Sequence, residues 1–173
     1  AGEIENLNQL LEEIDEGTFV ASEPRVKVMR TRAVVAAEAG HYNDAFAIQE
    51  EMTTFELSDR DYILSQALLA AIYFLQGDSE RAVAVIETVK ETHPLVKNDV
   101  LNISLNSDLV QFHDRNGNYK AAMALTKENI GIYHSILGDN HPELGMAYNA
   151  LSAFQWLDGQ LDDALKSAAN SEA

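Results

Sequence analysis

The fold is decided by the segment Gly77-Asp78-Ser79-Glu80-Arg81-Ala82, because its pattern of glycine, four-residue spacer and alanine recurs three more times. The other copies are Gly40-His41-Tyr42-Asn43-Asp44-Ala45, Gly117-Asn118-Tyr119-Lys120-Ala121-Ala122 and Gly159-Gln160-Leu161-Asp162-Asp163-Ala164. Successive glycines are 37, 40 and 42 residues apart, and a helical pattern of apolar residues lies on each side of every one. Near-constant spacing in this range is typical of repeat proteins.

Each glycine is expected to end one helix and begin the turn to the next. Glycine adopts the left-handed conformation of many helix ends without the steric penalty that a Cβ atom imposes. A polar residue after it can cap the free N–H groups of the following helix, and Asp78, Ser79 and Asn118 are candidates. The alanine is small because two helices cross closely there. The four segments therefore predict four helical hairpins.

The apolar periodicity and the stop signals predict an all-α chain of nine helices. They cover about residues 3–15, 24–39, 42–54, 59–76, 79–92, 97–115, 119–137, 142–157 and 161–170. Ser58 with Asp61 is a capping signal for the fourth helix, and Pro94 bars continuation of the fifth. We expect a single array over residues 1–173, with an N-terminal helix in 1–20 and repeats at 24–57, 58–95, 97–140 and 142–173.

The composition excludes several classes of function. The chain has 173 residues and a net charge of −16. It has no cysteine, so disulfides, thiolate metal sites and a cysteine nucleophile are impossible. Such an acidic surface repels phosphate backbones, which argues against nucleic-acid binding. No apolar stretch reaches the roughly 20 residues of a membrane span. A cytoplasmic location is expected, although the lack of cysteine also suits a secreted or periplasmic protein.

The sequence gives no indication of catalysis. None of the five histidines has a spacing that would place two metal ligands on one helical face. His93 and His141 precede prolines and are interpreted as structural turn residues. Acidic pairs such as Asp162–Asp163 are adjacent on helices and do not face each other. We therefore predict that the chain is not an enzyme and needs no metal or cofactor.

The repeats resemble the tetratricopeptide repeat family. The second copy carries that family's pattern in Leu69, Ala70, Tyr73, Gly77, Ala82 and Pro94. The segment 137–142, which reads Leu-Gly-Asp-Asn-His-Pro, is similar to the longer repeats of kinesin light chains and many bacterial regulators. Departures occur at Val110, Ser152 and Gln155. Over residues 24–173, the resemblance implies a right-handed α-α superhelix of about four hairpins.

The resemblance also implies which residues face the inner wall of the superhelix. The first repeat supplies Lys27, Arg30, Val34 and Ala37, and the second supplies Leu64, Ala67, Ala71 and Phe74. The third supplies Ser104, Ser107, Gln111 and Asp114, bordered by Arg115, and the fourth supplies Met146, Asn149, Ala153 and Trp156. Of these, we select as partner-binding residues Lys27, Arg30, Leu64, Ala67, Phe74, Ser107, Gln111, Arg115, Met146, Asn149 and Trp156.

The aromatic residues of this wall have two interpretations. Phe74 and Trp156 are either anchors for a partner or apolar residues that belong to the core. Asn149 either holds the backbone of an extended peptide, as its position implies for kinesin-light-chain-type repeats, or lies in solvent or at a helix cap. The carboxylate clamp of chaperone-binding repeats is absent, because only Arg30 matches its pattern. The other positions of that clamp pattern hold Val34, Leu68, Ser104 and Asp108.

The leading hypothesis is a non-catalytic protein-binding module that takes a neutral or basic peptide, or an amphipathic helix. A second hypothesis makes the chain a sensory or regulatory segment of a larger signalling or transcription-regulating protein. The start at Ala1-Gly2 and the uncapped last helix favour a fragment of a longer chain. A third hypothesis is homo-oligomerisation through the apolar fourth helix and the uncapped ninth.

Overall fold

The computed structural model describes residues 22–93, 100–139 and 141–171. All regular structure in these segments is helical. The helices are α1 (Ser22–Glu38), α2 (Tyr42–Met52), α3 (Asp59–Gln76), α4 (Ser79–Thr92), α5 (Val100–Arg115), α6 (Tyr119–Leu137), α7 (Pro142–Leu157) and α8 (Leu161–Ser171). The helix predicted over 3–15, the start of the one predicted from 97, and Pro94 lie outside the described residues.

The predicted bounds agree with the structure to within two residues at the other ends. Two ends differ by two residues: α1 begins at Ser22 and not at residue 24, and α2 stops at Met52 and not at Thr54. The hydroxyls of Thr53 and Thr54 each donate to a carbonyl three residues back, at 2.7 Å. Their backbone N–H groups donate to the same two carbonyls, which gives a tight last turn in place of further helix.

The four turns between paired helices share one hydrogen-bond pattern, as predicted from the glycines. The turn glycines have φ angles of +80°, +97°, +69° and +81°, all in the left-handed region. At Gly77, the glycine N–H donates to the Phe74 carbonyl and the Asp78 N–H donates to the Tyr73 carbonyl. The same pair of bonds recurs at the other three turns. It satisfies carbonyls that would otherwise be left unpaired at a helix end.

Two of the three proposed capping residues cap the following helix. The carboxylate of Asp78 accepts from the Arg81 N–H at 3.0 Å, and the amide oxygen of Asn118 accepts from the Ala121 N–H at 3.5 Å. Ser79 does not cap, because it is the first residue of α4 and is buried. The predicted cap at Ser58 is present, with its hydroxyl accepting from the Asp61 N–H at 3.1 Å.

The alanine of each repeated segment lies where the paired helices meet. Ala45, Ala82 and Ala122 have no exposed surface, and Ala164 is also buried. A larger side chain at these positions would have to separate the helices. The paired helices α1/α2, α3/α4, α5/α6 and α7/α8 are therefore the four predicted hairpins.

The chain forms two compact units, residues 1–93 and 94–173, and the division falls between the second and third predicted repeats. In the first unit, α1 packs on α2 and α3, and α3 also packs on α2 and α4. Its core includes Val26, Met29, Met52, Leu68 and Ile72.

The second unit packs its helices in chain order, α5 on α6, α6 on α7 and α7 on α8. The core contains Met123, Ile130, Leu144, Leu151 and Phe154. Beside this apolar cluster, a buried polar layer joins α5 to α6. The Asn106 side chain donates to the Asn129 amide oxygen at 2.9 Å, and Asn129 donates to the Ile103 carbonyl and the Ser107 hydroxyl at 3.3 Å.

The departures from the family pattern are accommodated locally. Val110 packs against the core of the second unit. Ser152 donates to the Ala164 carbonyl at 2.8 Å, which ties α7 to α8. Gln155 is buried, and its amide oxygen has no hydrogen-bond partner in the described part of the chain. None of the helices from 22–93, 100–139 and 141–171 combines the length and hydropathy that a bilayer crossing requires.

Candidate functional site

Three of the predicted wall residues meet in one cavity of the first unit. Lys27 and Arg30 of α1 and Leu64 of α3 line a cavity of about 550 Å³. The remaining lining comes from Val26, Glu56, Leu57, Ser58, Arg60 and Asp61. The structure therefore brings together residues more than thirty positions apart in the chain.

The cavity of the first unit is polar and carries both signs of charge. Lys27, Arg30 and Arg60 contribute three cations, whereas Glu56 and Asp61 contribute two carboxylates. The Nη1 atom of Arg30 is buried and has no hydrogen-bond partner among the described residues. A buried donor in this state costs free energy until an acceptor reaches it.

The other wall residues of the second repeat lie on α3 and are half-buried. Leu64, Ala67 and Phe74 share this intermediate exposure, whereas Leu68 and Ile72 of the same helix are buried in the core. Phe74 is thus neither a fully buried core residue nor a fully exposed anchor.

The wall residues of the third repeat differ among themselves. Gln111 and Arg115 are exposed on α5. Ser107 is half-buried, and its hydroxyl donates to the Ile103 carbonyl at 2.8 Å while accepting from Asn129. The Ser107 hydroxyl therefore already takes part in the packing of α5 on α6.

The fourth repeat presents the clearest exposed surface. Met146, Asn149, Ala153 and Trp156 are all exposed, and their spacing of three and four residues places them on one face of α7. We call these four residues the α7 stripe. Trp156 is 64% exposed, so it lies outside the core of the described residues. Leu144, Leu151 and Phe154, on the other side of α7, hold the helix to its unit.

A second cavity, of about 620 Å³, lies beside the α7 stripe. Met146 and Asn149 line it together with Asn170 and Ser171 from the end of α8. The turn before α7 and the first turns of α7 complete the lining with Asp139, His141, Pro142, Leu144, Gly145 and Tyr148. Apolar and polar residues thus line this cavity together.

The turn beside this cavity is held by histidines. His134 Nδ1 lies 2.8 Å from Asp139 Oδ1, and His134 Nε2 lies 3.3 Å from the Tyr148 hydroxyl. His141 Nδ1 accepts from the Glu143 N–H at 3.3 Å, which confirms its structural role in the turn. Sequence analysis missed His134, because its partners lie five and fourteen positions away and form no local motif.

Burial shifts the pKa of one group on α5 and of one on α6. Burial raises the pKa of Asp108, on α5, to about 6. Burial, with the nearby Glu143 carboxylate, raises the pKa of Tyr133. No group of three or more histidine, aspartate or glutamate side chains within 22–93, 100–139 and 141–171 is arranged to hold a metal ion.

Comparisons with known proteins agree with the repeat. A family model described as tetratricopeptide repeat matches residues 107–143. The nearly identical TPR-like repeats assigned to a kinesin light chain of Podosopora anserina share 18% identity, with a TM-score of 0.73 over 88% of this chain and 75% of that one. BtubC (BKLC) from P. vanneervenii shares 14% identity, with a TM-score of 0.76 over 97% of this chain and 67% of its own.

MamA is a third similar structure, with 14% identity and a TM-score of 0.61 over 97% of this chain and 78% of that one. None of the curated proteins compared matches the sequence. The resemblance to tetratricopeptide repeats, including those of kinesin light chains, is confirmed, as is the all-α fold of stacked helical hairpins. At these identities the structural similarities show the fold alone.

Proposed function

We propose that this chain is a non-catalytic protein–protein interaction module that binds a peptide or helix of a partner on the α7 stripe. The observation that carries the proposal is the exposure of four residues on one face of a helix whose other face is firmly packed. Helical repeats commonly present such surfaces to peptides and helices.

The α7 stripe combines two kinds of contact. Met146 and Trp156 offer flexible and aromatic apolar surface, which dominates the energetics of many interfaces. Asn149 lies between them and carries both a donor and an acceptor, so it can pair with the backbone of an extended segment. The cavity beside the stripe adds Asn170 and the turn residues at its edge.

The cavity of the first unit provides a second set of contacts in this proposal. It is lined by Lys27, Arg30 and Leu64, three of the residues expected to bind a partner, and this supports the proposal. The net charge of −16 favours a neutral or basic partner for the molecule as a whole.

The test is the affinity of a purified partner, first captured with the wild-type protein, for three single variants. We expect Trp156→Ala to weaken binding by about tenfold or more and Asn149→Ala by several-fold, as for buried interface residues. Asn43→Ala is the matched control, since Asn43 is an exposed asparagine on α2. Unchanged affinity in both stripe variants would refute the proposal.

A further inference from the structure

The cavity beside the α7 stripe is lined by residues that carry hydrogen-bond acceptors. Side-chain oxygen atoms belong to Asp139, Tyr148, Asn149 and Asn170, and lysine and arginine are absent from the lining in the described part of the chain. The Asp139 side chain is 85% exposed, so its carboxylate is accessible to a ligand. A lining with a carboxylate and without a basic side chain favours a ligand that carries positive charge.

The end of α8 adds a second source of negative potential. Asn170 and Ser171 line the cavity, and Ser171 is the last residue of α8. Its carbonyl oxygen lies close to Gly145, another lining residue, because a Cβ added there would be only 2.8 Å from it. The last carbonyls of a helix lack partners within the helix and attract cations. The last turn of α8 has no basic residue of its own.

His134 contacts two of the lining residues, Asp139 at its Nδ1 atom and Tyr148 at its Nε2 atom. A carboxylate only accepts hydrogen bonds, so Nδ1 carries a hydrogen in the neutral and in the protonated ring. In the neutral ring, Nε2 accepts from the Tyr148 hydroxyl, which leaves the phenol oxygen as an acceptor for a ligand. The protonated ring instead donates to that oxygen and pairs its charge with Asp139. Protonated His134 therefore competes with a cationic ligand for both groups.

The surroundings of His134 identify which groups titrate beside the cavity. His134 lies in the last turn of α6, which packs on α5 and α7. Residues 100–107 of α5 pack along this half of α6 through the polar layer and hold no ionisable side chain. The end of α6, the turn and the start of α7 carry Tyr133, Asp139, His141, Glu143 and Tyr148. Histidines ordinarily change charge between pH 5 and 8, so an experiment has to separate His134 from His141.

We propose that the cavity beside the α7 stripe takes a lysine or arginine side chain of the partner. This cation binds the Asp139 carboxylate, the Tyr148 hydroxyl oxygen and the carbonyls at the end of α8, in competition with protonated His134. The inference rests on the proposed function, because Met146 and Asn149 of the stripe line the same cavity. It also agrees with the net charge of −16, which favours a basic partner.

The probe is acetyl-arginine methylamide, titrated into the ¹⁵N-labelled protein at pH 7.5 and physiological ionic strength. Binding is followed by the chemical shifts of backbone amides. Acetyl-citrulline methylamide is the comparison, because citrulline has nearly the shape of arginine without its charge. We expect saturable shifts in residues 141–149 and 170–171, and affinity for the arginine probe about tenfold above that for the citrulline probe.

Two pairs of variants test the assigned residues. Asp139→Asn should weaken binding of the arginine probe by about fivefold, whereas Asp44→Asn, at an exposed aspartate on α2, should leave it unchanged. The wild type should bind the probe more weakly at pH 5.5 than at pH 7.5. His134→Asn should remove most of this difference, and His141→Asn should retain it, since asparagine also caps helices.

Several outcomes would overturn the proposal. They are shifts spread over the surface without saturation, equal affinity for the two probes, equal loss in Asp139→Asn and Asp44→Asn, or a pH dependence that persists in His134→Asn. Tighter binding of free spermidine than of the arginine probe would assign the cavity to a polyamine instead. The probe needs no partner, so failure here is distinguishable from failure of the α7 stripe variants. Circular dichroism confirms that each variant is folded.

Discussion

The turn glycines hold a backbone conformation that other residues adopt only at a cost. Gly77 has the largest φ of the group, +97°, and space around it is open, since an added Cβ would meet nothing within 4 Å. The cost of a side chain there is therefore conformational and not steric crowding with neighbours. An alanine in the left-handed region costs about 1–2 kcal/mol.

We predict that Gly77→Ala lowers the free energy of unfolding by about 1–2 kcal/mol, measured by urea denaturation. Gly131→Ala is the matched control, because Gly131 lies inside α6 at an ordinary helical φ and also has open space. There alanine should be neutral or stabilising by up to about 1 kcal/mol. Equal effects of the two substitutions would contradict the assigned role of the turn glycines.

The buried side-chain amide of Asn129 makes the hydrogen bonds that join α5 to α6 in the polar layer. Asn129→Ala removes its bonds to Asn106, Ile103 and Ser107 in a buried environment. We expect a loss of about 1–3 kcal/mol in stability. The measurement is the midpoint of thermal or urea unfolding, which Asn43→Ala, at an exposed position, should change little. A neutral Asn129→Ala variant would show that this layer contributes no stability.

The raised pKa of Asp108 predicts that the free energy of unfolding depends on pH, and it fixes the sign of that dependence. The folded state keeps its proton up to about pH 6, whereas the unfolded state loses it near 3.8. The folded state therefore binds more protons between these values, and the Asp108 contribution to stability is lost as pH rises through 6. The full shift corresponds to at most about 3 kcal/mol.

The measurement compares the wild type with Asp108→Asn by urea denaturation from pH 4 to pH 7.5. The variant cannot ionise at this position, so its stability relative to the wild type should rise from pH 4 to about pH 6 and level off above that. The difference between the two proteins isolates Asp108 from all other carboxylates. A difference independent of pH would contradict the raised pKa.

At the scale of the helices, local signals determine most of the boundaries. The sequence predicts the bounds of α3 and α4 to the residue. Ser58 and Asp78 cap the two helix starts with their side chains, and Gly77 ends α3 through its left-handed backbone. The end of α2 was missed by two residues. There the threonine hydroxyls take the last carbonyls, a competition that apolar periodicity does not register.

The close contact between α7 and α8 predicts that a substitution on α7 destabilises α8. An added Cβ on Gly145 would lie 2.8 Å from the Ser171 carbonyl oxygen, so the end of α8 would have to move. We expect Gly145→Ala to speed amide hydrogen exchange along α8 and to lower its protection. Gly131→Ala, in open space on α6, should leave exchange in α8 unchanged. Unaltered α8 exchange in Gly145→Ala would contradict the observed packing.

At the scale of the molecule, sequence analysis identified the repeat but not how each wall residue is used. Spacing places Ser107 on the wall, but its hydroxyl is already bonded to Asn129, twenty-two positions away. Spacing also left the burial of Trp156 open, because exposure depends on what packs against α7. Likewise, Arg30 lines its cavity with Arg60, a pairing that only the packed hairpins create.

Because the chain has no cysteine, a single introduced cysteine can report on one chosen surface position. This allows a direct test of the central claim, that a partner binds on the α7 stripe. A single cysteine carrying a benzophenone cross-linker is placed at Ala153, in the α7 stripe, or at Ala124, an exposed alanine on α6. Each protein is irradiated with the purified partner. The account predicts a cross-link to the partner from Ala153→Cys and little from Ala124→Cys. Equal cross-linking from both positions, or cross-linking from Ala124→Cys alone, would contradict it.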